Sequence, residues 1–166
     1  MTPSQPLDTP LWAFSLAVYG GDGVADECLD LQERLGLDVN ILLFAAFIGA
    51  VEAVQLESRD ITAASAAVAA WQSEIVRPLR LVRRALKPMS AEGLRAHVKA
   101  AELEAEKIEL AMLWQWSRPQ LADRPRGDRI GTLANNLRAA LEFYRTPNRL
   151  ETALPRLLEA ATVYRP

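Results

Sequence analysis

Cysteine and histidine are almost missing from this chain: 166 residues contain one of each, Cys28 and His97. A lone thiol cannot close an internal disulfide. One histidine cannot furnish the His and Cys sets of a zinc centre or the two Glu-x-x-His pairs of a diiron bundle. The sequence therefore carries no metal or cofactor motif, and its fold must rest on packing alone, which is compatible with a reducing compartment and makes the cytoplasm the expectation. Long apolar runs are lacking too. The most hydrophobic stretch, Ile41 to Val51, is flanked by Asn40, Glu52 and Gln55 and falls well short of the roughly 20 residues that a membrane-crossing helix needs. Met1 to Pro10 has no lysine, no arginine and no apolar centre, so it reads as a frayed leader over residues 1–7 rather than a targeting peptide. Gly20 to Gly23 lacks the lysine and hydroxyl residue of a phosphate-binding loop and reads as a turn and helix cap.

Strand signals are absent as well, since no segment alternates with period two for long enough. Helical spacing is found nearly everywhere instead. Leu11 to Val18 follows Thr9 and Pro10, an acceptor side chain and a first-turn proline. Val24, Cys28, Leu31 and Leu35 form one stripe, stopped by Gly36. A third helix from Asp38 to about Leu56 is apolar around its whole circumference, which places it at the centre of a bundle. A fourth follows Asp60 and keeps Ile61, Val68, Trp71, Ile75, Leu79, Val82 and Leu86 on one side; Pro78 should bend or break it. Ser90 caps a fifth that runs to about Trp116, with Leu94, Val98, Ala101, Ala105, Ile108 and Met112 as its inner stripe and His97 at the border of that stripe. Residues 117–131 hold prolines, glycines and four arginines without period and read as a loop. Ile130 to Tyr144 and Leu154 to Tyr164 supply the last two helices. The expected fold is an all-α, single-domain bundle of six or seven helices over residues 8–166.

Charge is unevenly placed. Residues 1–60 hold 10 acids and 2 bases, a balance of −8, while residues 61–166 hold 11 acids and 17 bases, a balance of +6. Sixteen of the nineteen bases are arginine, whose planar fork suits carboxylates and phosphates. Arg77, Arg80, Arg84 and Lys87 share one face of the fourth helix, with Arg83 at its margin. Their candidate partners are Glu102, Glu106 and Glu109 of the fifth helix, or the acidic surface of another molecule. Asp22, Asp26, Asp30 and Glu33 share a face of the second helix, as a solvated surface, a set of arginine partners or oxygen ligands for a cation. An acidic net charge of −2 argues against a nucleic-acid binder. Trp116, beside the arginines of the loop, is a candidate exposed anchor, because tryptophan and arginine dominate binding hot spots.

The segments Leu11-Trp12-Ala13-Phe14-Ser15-Leu16-Ala17-Val18-Tyr19, Gly23-Val24, Cys28-Leu29-x-Leu31-Gln32 and Asp38-Val39-Asn40-Ile41-Leu42-Leu43-Phe44 resemble an uncharacterised proteobacterial family, domain of unknown function 2390. The resemblance extends from about residue 8 to 145 and takes in Trp71, Arg77-Pro78-Leu79-Arg80 and Asn135-Asn136-Leu137. It implies a bacterial cytoplasmic setting and transfers no catalytic or binding residue. Two functional expectations stand side by side. In the first, a non-enzymatic interaction or regulatory protein binds an acidic protein partner, or a second copy of itself, through Arg77, Arg80, Arg84, Lys87, Trp116, Arg118, Arg124 and Arg126. In the second, an inter-helix pocket near Asn40, Glu52 and Trp71 takes a small anionic ligand, with or without catalysis.

Overall fold

The computed structural model describes residues 6–146 and 149–166, and within them every regular element is helical; most of the 1–7 leader lies outside the described residues. The elements are α1 (Pro10–Tyr19), α2 (Val24–Leu35), α3 (Val39–Phe47), α4 (Ser58–Trp71), α5 (Arg77–Ala85), α6 (Glu92–Leu121), α7 (Arg129–Phe143), the short α8 (Leu150–Ala153) and α9 (Pro155–Val163). Local chemistry sets their starts. The Thr9 hydroxyl accepts from Trp12 N–H at 3.1 Å with Pro10 in the first turn of α1, and the Asp38 carboxylate accepts from Asn40 N–H at 2.9 Å at the start of α3. Each satisfies a donor that the helix itself leaves free. Gly36 ends α2 at φ 65°, where a Cβ would be strained.

As its all-round apolarity requires, α3 is the axis: every residue from Asn40 to Phe47 is buried. It ends earlier than the expected Leu56. Its last turn widens into a π-turn over Ile48–Glu52, and Ala53 then leaves in the left-handed region at φ 55°. Gly49 explains the fit of α7 against this turn. A Cβ built on Gly49 would lie 2.5 Å from the Leu133 Cα, so the two backbones touch with no room for a side chain. The extended linker that follows has its backbone groups met by one buried side chain. Asn136 of α7 accepts from Leu56 N–H at 2.8 Å and donates to the Val54 carbonyl at 2.9 Å.

Two prolines behave differently from expectation. Pro78 does not break the fourth helix, because a second π-turn over Gln72–Val76 precedes it. Arg77 N–H donates to the carbonyl of Gln72, five residues back, and this register shift seats Pro78 in the first turn of α5, where no donor is needed. Pro119 likewise sits inside α6, which continues to Leu121. The arginine-rich loop expected over 117–131 is therefore confined to residues 122–128, and Arg118 stands on a helix. At 30 residues α6 spans about 45 Å. Its N-terminal half and α5 form an antiparallel hairpin that extends past the core, and no residue of α5 is buried.

The two charge populations of the sequence meet across the fold. Glu33 pairs with Arg84, Asp8 with Lys107, Glu52 with Arg118 and Arg126, and Asp60 with Arg124. At the far end of the chain, the Glu27 carboxylate accepts from the N–H groups of Arg156 and Leu157 at 2.7 and 3.0 Å, capping α9 from α2.

Candidate functional site

A π-turn leaves carbonyls out of helical register, and here it builds one wall of a cleft. The Ala50 carbonyl accepts from Arg129 Nε at 2.5 Å, and the Ala53 carbonyl from Gly127 N–H at 2.7 Å. The 122–128 loop is thereby pinned beside the turn, with Val54 and Arg126 paired as an isolated antiparallel bridge. Between them lies a cleft of about 80 Å³ whose charged lining is Glu52 on one side and Arg118, Arg124 and Arg126 on the other. Glu52 is 3.3 Å from Arg118 and 3.7 Å from Arg126, and Arg124 reaches out to Asp60 at 2.8 Å. Arg118 is fixed further by the Trp114 ring, over which its guanidinium lies 3.7 Å from the centroid. Such stacking holds a flat cation in one orientation at little entropic cost.

A second cluster is buried. Asn40 of α3 donates to Glu109 Oε2 of α6 at 3.0 Å, and the other oxygen of Glu109 has no hydrogen-bond partner. Burial, followed by the nearby Asp38 carboxylate, pushes the Glu109 carboxyl up to about 10, so it is protonated at neutral pH. The Tyr144 phenol beside Asp38 is raised in the same way, burial leading. Toward the hairpin the chemistry reverses. Burial alone would raise Glu102, but hydrogen bonds from Arg83 and Arg80 bring its carboxyl below the ordinary range. Arg80 also reaches Glu106 at 2.9 Å.

With this geometry in hand the chain can be set against known proteins. A family model described as protein of unknown function (DUF2390) matches residues 10–113. The chain belongs to this family. No curated protein and no solved structure matches it. The DUF2390 match takes in α1 to α5 and most of α6, including Asp38, Asn40, Glu52 and Glu109. It stops short of Arg118, Arg124, Arg126 and all of α7, so Asn135, Asn136 and Leu137, where the sequence also resembles the family, lie beyond the matched span.

The residues singled out in the DUF2390 sequence are sorted by the fold into separate places. Arg118, Arg124, Arg126 and Glu52 come together at the cleft. Asn40 and Trp71 do not join them: Asn40 belongs to the Glu109 cluster, and the Trp71 indole N–H donates to the Ala105 carbonyl at 2.9 Å. On α5, Arg80 and Arg83 are engaged by Glu102 and Arg84 by Glu33, whereas Arg77 and Lys87 are exposed and make no ion pair among the described residues. Trp116 is half-buried against Phe44, centroids 6.0 Å apart, and Trp114 packs on Phe47 at 5.6 Å. The two indoles point to different sides of α6 yet reach the same neighbour, because α3 lies under α6 and each wide ring wraps around one flank.

Asp30 pairs with Arg34 on its own helix, and the acidic face of α2 meets the rest of the chain through Glu33. Among the described residues no three His, Cys, Asp or Glu side chains are placed to hold a metal ion, and no helix is long and apolar enough to cross a membrane. Cys28 is buried with its thiol pushed up to about 12, burial leading, which removes it as a nucleophile at neutral pH. Sequence reading missed Glu109 as a neutral acid and Asn136 as the linker's partner. The available signal was an amide at a buried helical phase, between Leu133 and Ala140.

Proposed function

We propose that this protein is a non-enzymatic interaction or regulatory module that docks an acidic segment of a protein partner at the π-turn cleft. Arg126 carries the reading. Its side chain is 69% exposed and stands 3.7 Å from a glutamate that Arg118 already engages, so with Arg124 held by Asp60 it is the least engaged of the three guanidinium groups at the cleft. An incoming carboxylate can pair with Arg126 without first breaking a buried bond, and the stacked Arg118 is pre-oriented to share it. The rigid floor of π-turn and pinned loop lowers the ordering cost of binding.

Fluorescence anisotropy with a labelled peptide of alternating glutamate and serine tests this. Binding should weaken steeply between 50 and 300 mM salt, as expected for partly exposed charges. It should fall at least tenfold in Arg126→Glu and further in Arg118→Glu/Arg126→Glu. The exposed single substitution guards against loss of folding in the double one. If a glycine-serine peptide binds as well as the acidic one, or if Arg126→Glu leaves the affinity unchanged, the proposal is wrong.

A further inference from the structure

The hairpin of α5 and α6 carries an apolar face that its own chain leaves uncovered. Helical phase sets Ile75, Leu79, Val82 and Leu86 along one flank of the π-turn and α5. Because α6 runs antiparallel, the same phase rule sets Leu94, Ala101 and Ile108 along the adjoining flank of α6. The other flank is the charged one, where Arg80 and Arg83 meet Glu102 and where Arg84 reaches back to α2. Ile75, Val82 and Leu94 are 37%, 47% and 55% exposed, and Leu79, Leu86 and Ile108 are half-buried. Trp71 closes the lower end of this face with its indole N–H already satisfied. An apolar surface of this breadth on a chain otherwise rich in charge marks a contact surface.

Charge selects the occupant. The face holds one base and one acid, His97 and Glu104, seven positions apart along the outer border of α6. A lipid surface or a nucleic acid would require a rim of lysine and arginine, which this flank lacks. An acidic protein segment would find one histidine there and be repelled by Glu104. A second copy of the chain fits. Two α6 helices packed antiparallel about a two-fold axis between Ala100 and Ala101 bring His97 of each copy opposite Glu104 of the other. The same axis brings Leu94 to within one position, about 1.5 Å along the helix, of the partner copy's Ile108, and the alanines at the crossing let the backbones approach. Such a two-fold contact is self-complementary, each pairing occurring twice. The α6 seam from Leu94 to Ile108 is about 21 Å long and the face two helices wide.

We infer that the chain forms an antiparallel two-fold dimer through the apolar face of the α5–α6 hairpin, with reciprocal His97–Glu104 contacts fixing the register. The assembly is a four-helix layer made of two hairpins, and it leaves the π-turn cleft of each copy free.

Sedimentation analysis of the full chain from 1 to 100 µM tests the inference. The mass should rise to twice 18.3 kDa within that range. Val82→Glu and Leu94→Glu, both at exposed positions, should stay monomeric with unchanged far-ultraviolet circular dichroism. His97→Glu should raise the dimer dissociation constant at least tenfold, and His97→Glu/Glu104→Lys should restore it. Arg126→Glu should leave it unmoved, which separates this contact from the cleft. A monomer throughout the range overturns the inference, as does a dimer that survives Leu94→Glu. A dimer broken by Leu94→Glu but indifferent to both His97 and Glu104 overturns the antiparallel register and with it the proposed pairing.

Discussion

Asn40 and Glu109 stand 69 positions apart in the sequence and share a buried hydrogen bond of 3.0 Å between α3 and α6. The carboxyl is fully inaccessible to solvent, and its raised pKa makes it a neutral hydrogen-bonding group at physiological pH. Its protonated form is favoured further by the neighbouring Asp38 carboxylate.

A pH dependence of stability follows. The native state keeps a proton that the unfolded chain releases above about pH 4.3. The native state therefore binds more protons than the unfolded one, and stability falls as pH rises from about 5 toward 10. Glu109→Gln keeps the amide partner and removes the titration. Its Tm should match the wild type near pH 5 and exceed it at pH 8.5 by at least about 2–4 °C, the shift that 1 kcal/mol produces in a chain of this size. Thermal melts across pH 5 to 9 check this, and two parallel pH profiles would refute it.

The hairpin's ion pairs should differ sharply in worth. Arg80 is 13% exposed and serves Glu102, itself 7% exposed, together with Glu106. Arg80→Met leaves Glu106 without its cation and Glu102 with Arg83 alone, and should cost about 3 kcal/mol. Arg84 and Glu33 are 45% and 64% exposed, so Arg84→Met should cost less than about 0.5 kcal/mol. Urea denaturation of the two variants measures the contrast, and equal midpoints would show that burial does not govern these pairs.

Gly49→Ala tests the contact between the π-turn and α7. The added methyl would meet backbone rather than a movable side chain, so α7 must shift. A loss of about 2–3 kcal/mol is expected, read as a Tm lowered by roughly 4–12 °C. A melting point within 1 °C of the wild type would mean that the helices part easily.

Helix positions and faces were legible in the sequence because they follow from spacing and caps: Thr9 with Pro10, Asp38 and Gly36 do locally what their chemistry predicts. The all-round apolarity of α3 likewise announced its central place. Partners in space were not legible. Spacing gives the phase of Asn40 and of Glu109 but not that these two phases converge, and the offset of charge between the two parts of the chain does not say that Glu52 takes Arg118 and Arg126. The π-turns escaped notice for a related reason. An inserted residue shifts the register by less than one position's worth of phase, so the stripe from Trp71 to Leu86 looks continuous. The end of α6 was not legible either: the prolines and arginines of 117–131 read as a loop, yet the helix runs on through Pro119 to Leu121 and tolerates the loss of that residue's one bond to the preceding turn.

The central helix emerges from the ribosome long before the segment that covers it. Gly49 must wait for Leu133, and the linker at Val54 and Leu56 for Asn136, so a nascent chain presents a greasy rod whose α7-facing side stays bare for about eighty residues of synthesis. Holding chaperones should engage that interval. A circular permutant that delivers α7 ahead of α3 should lean on them less.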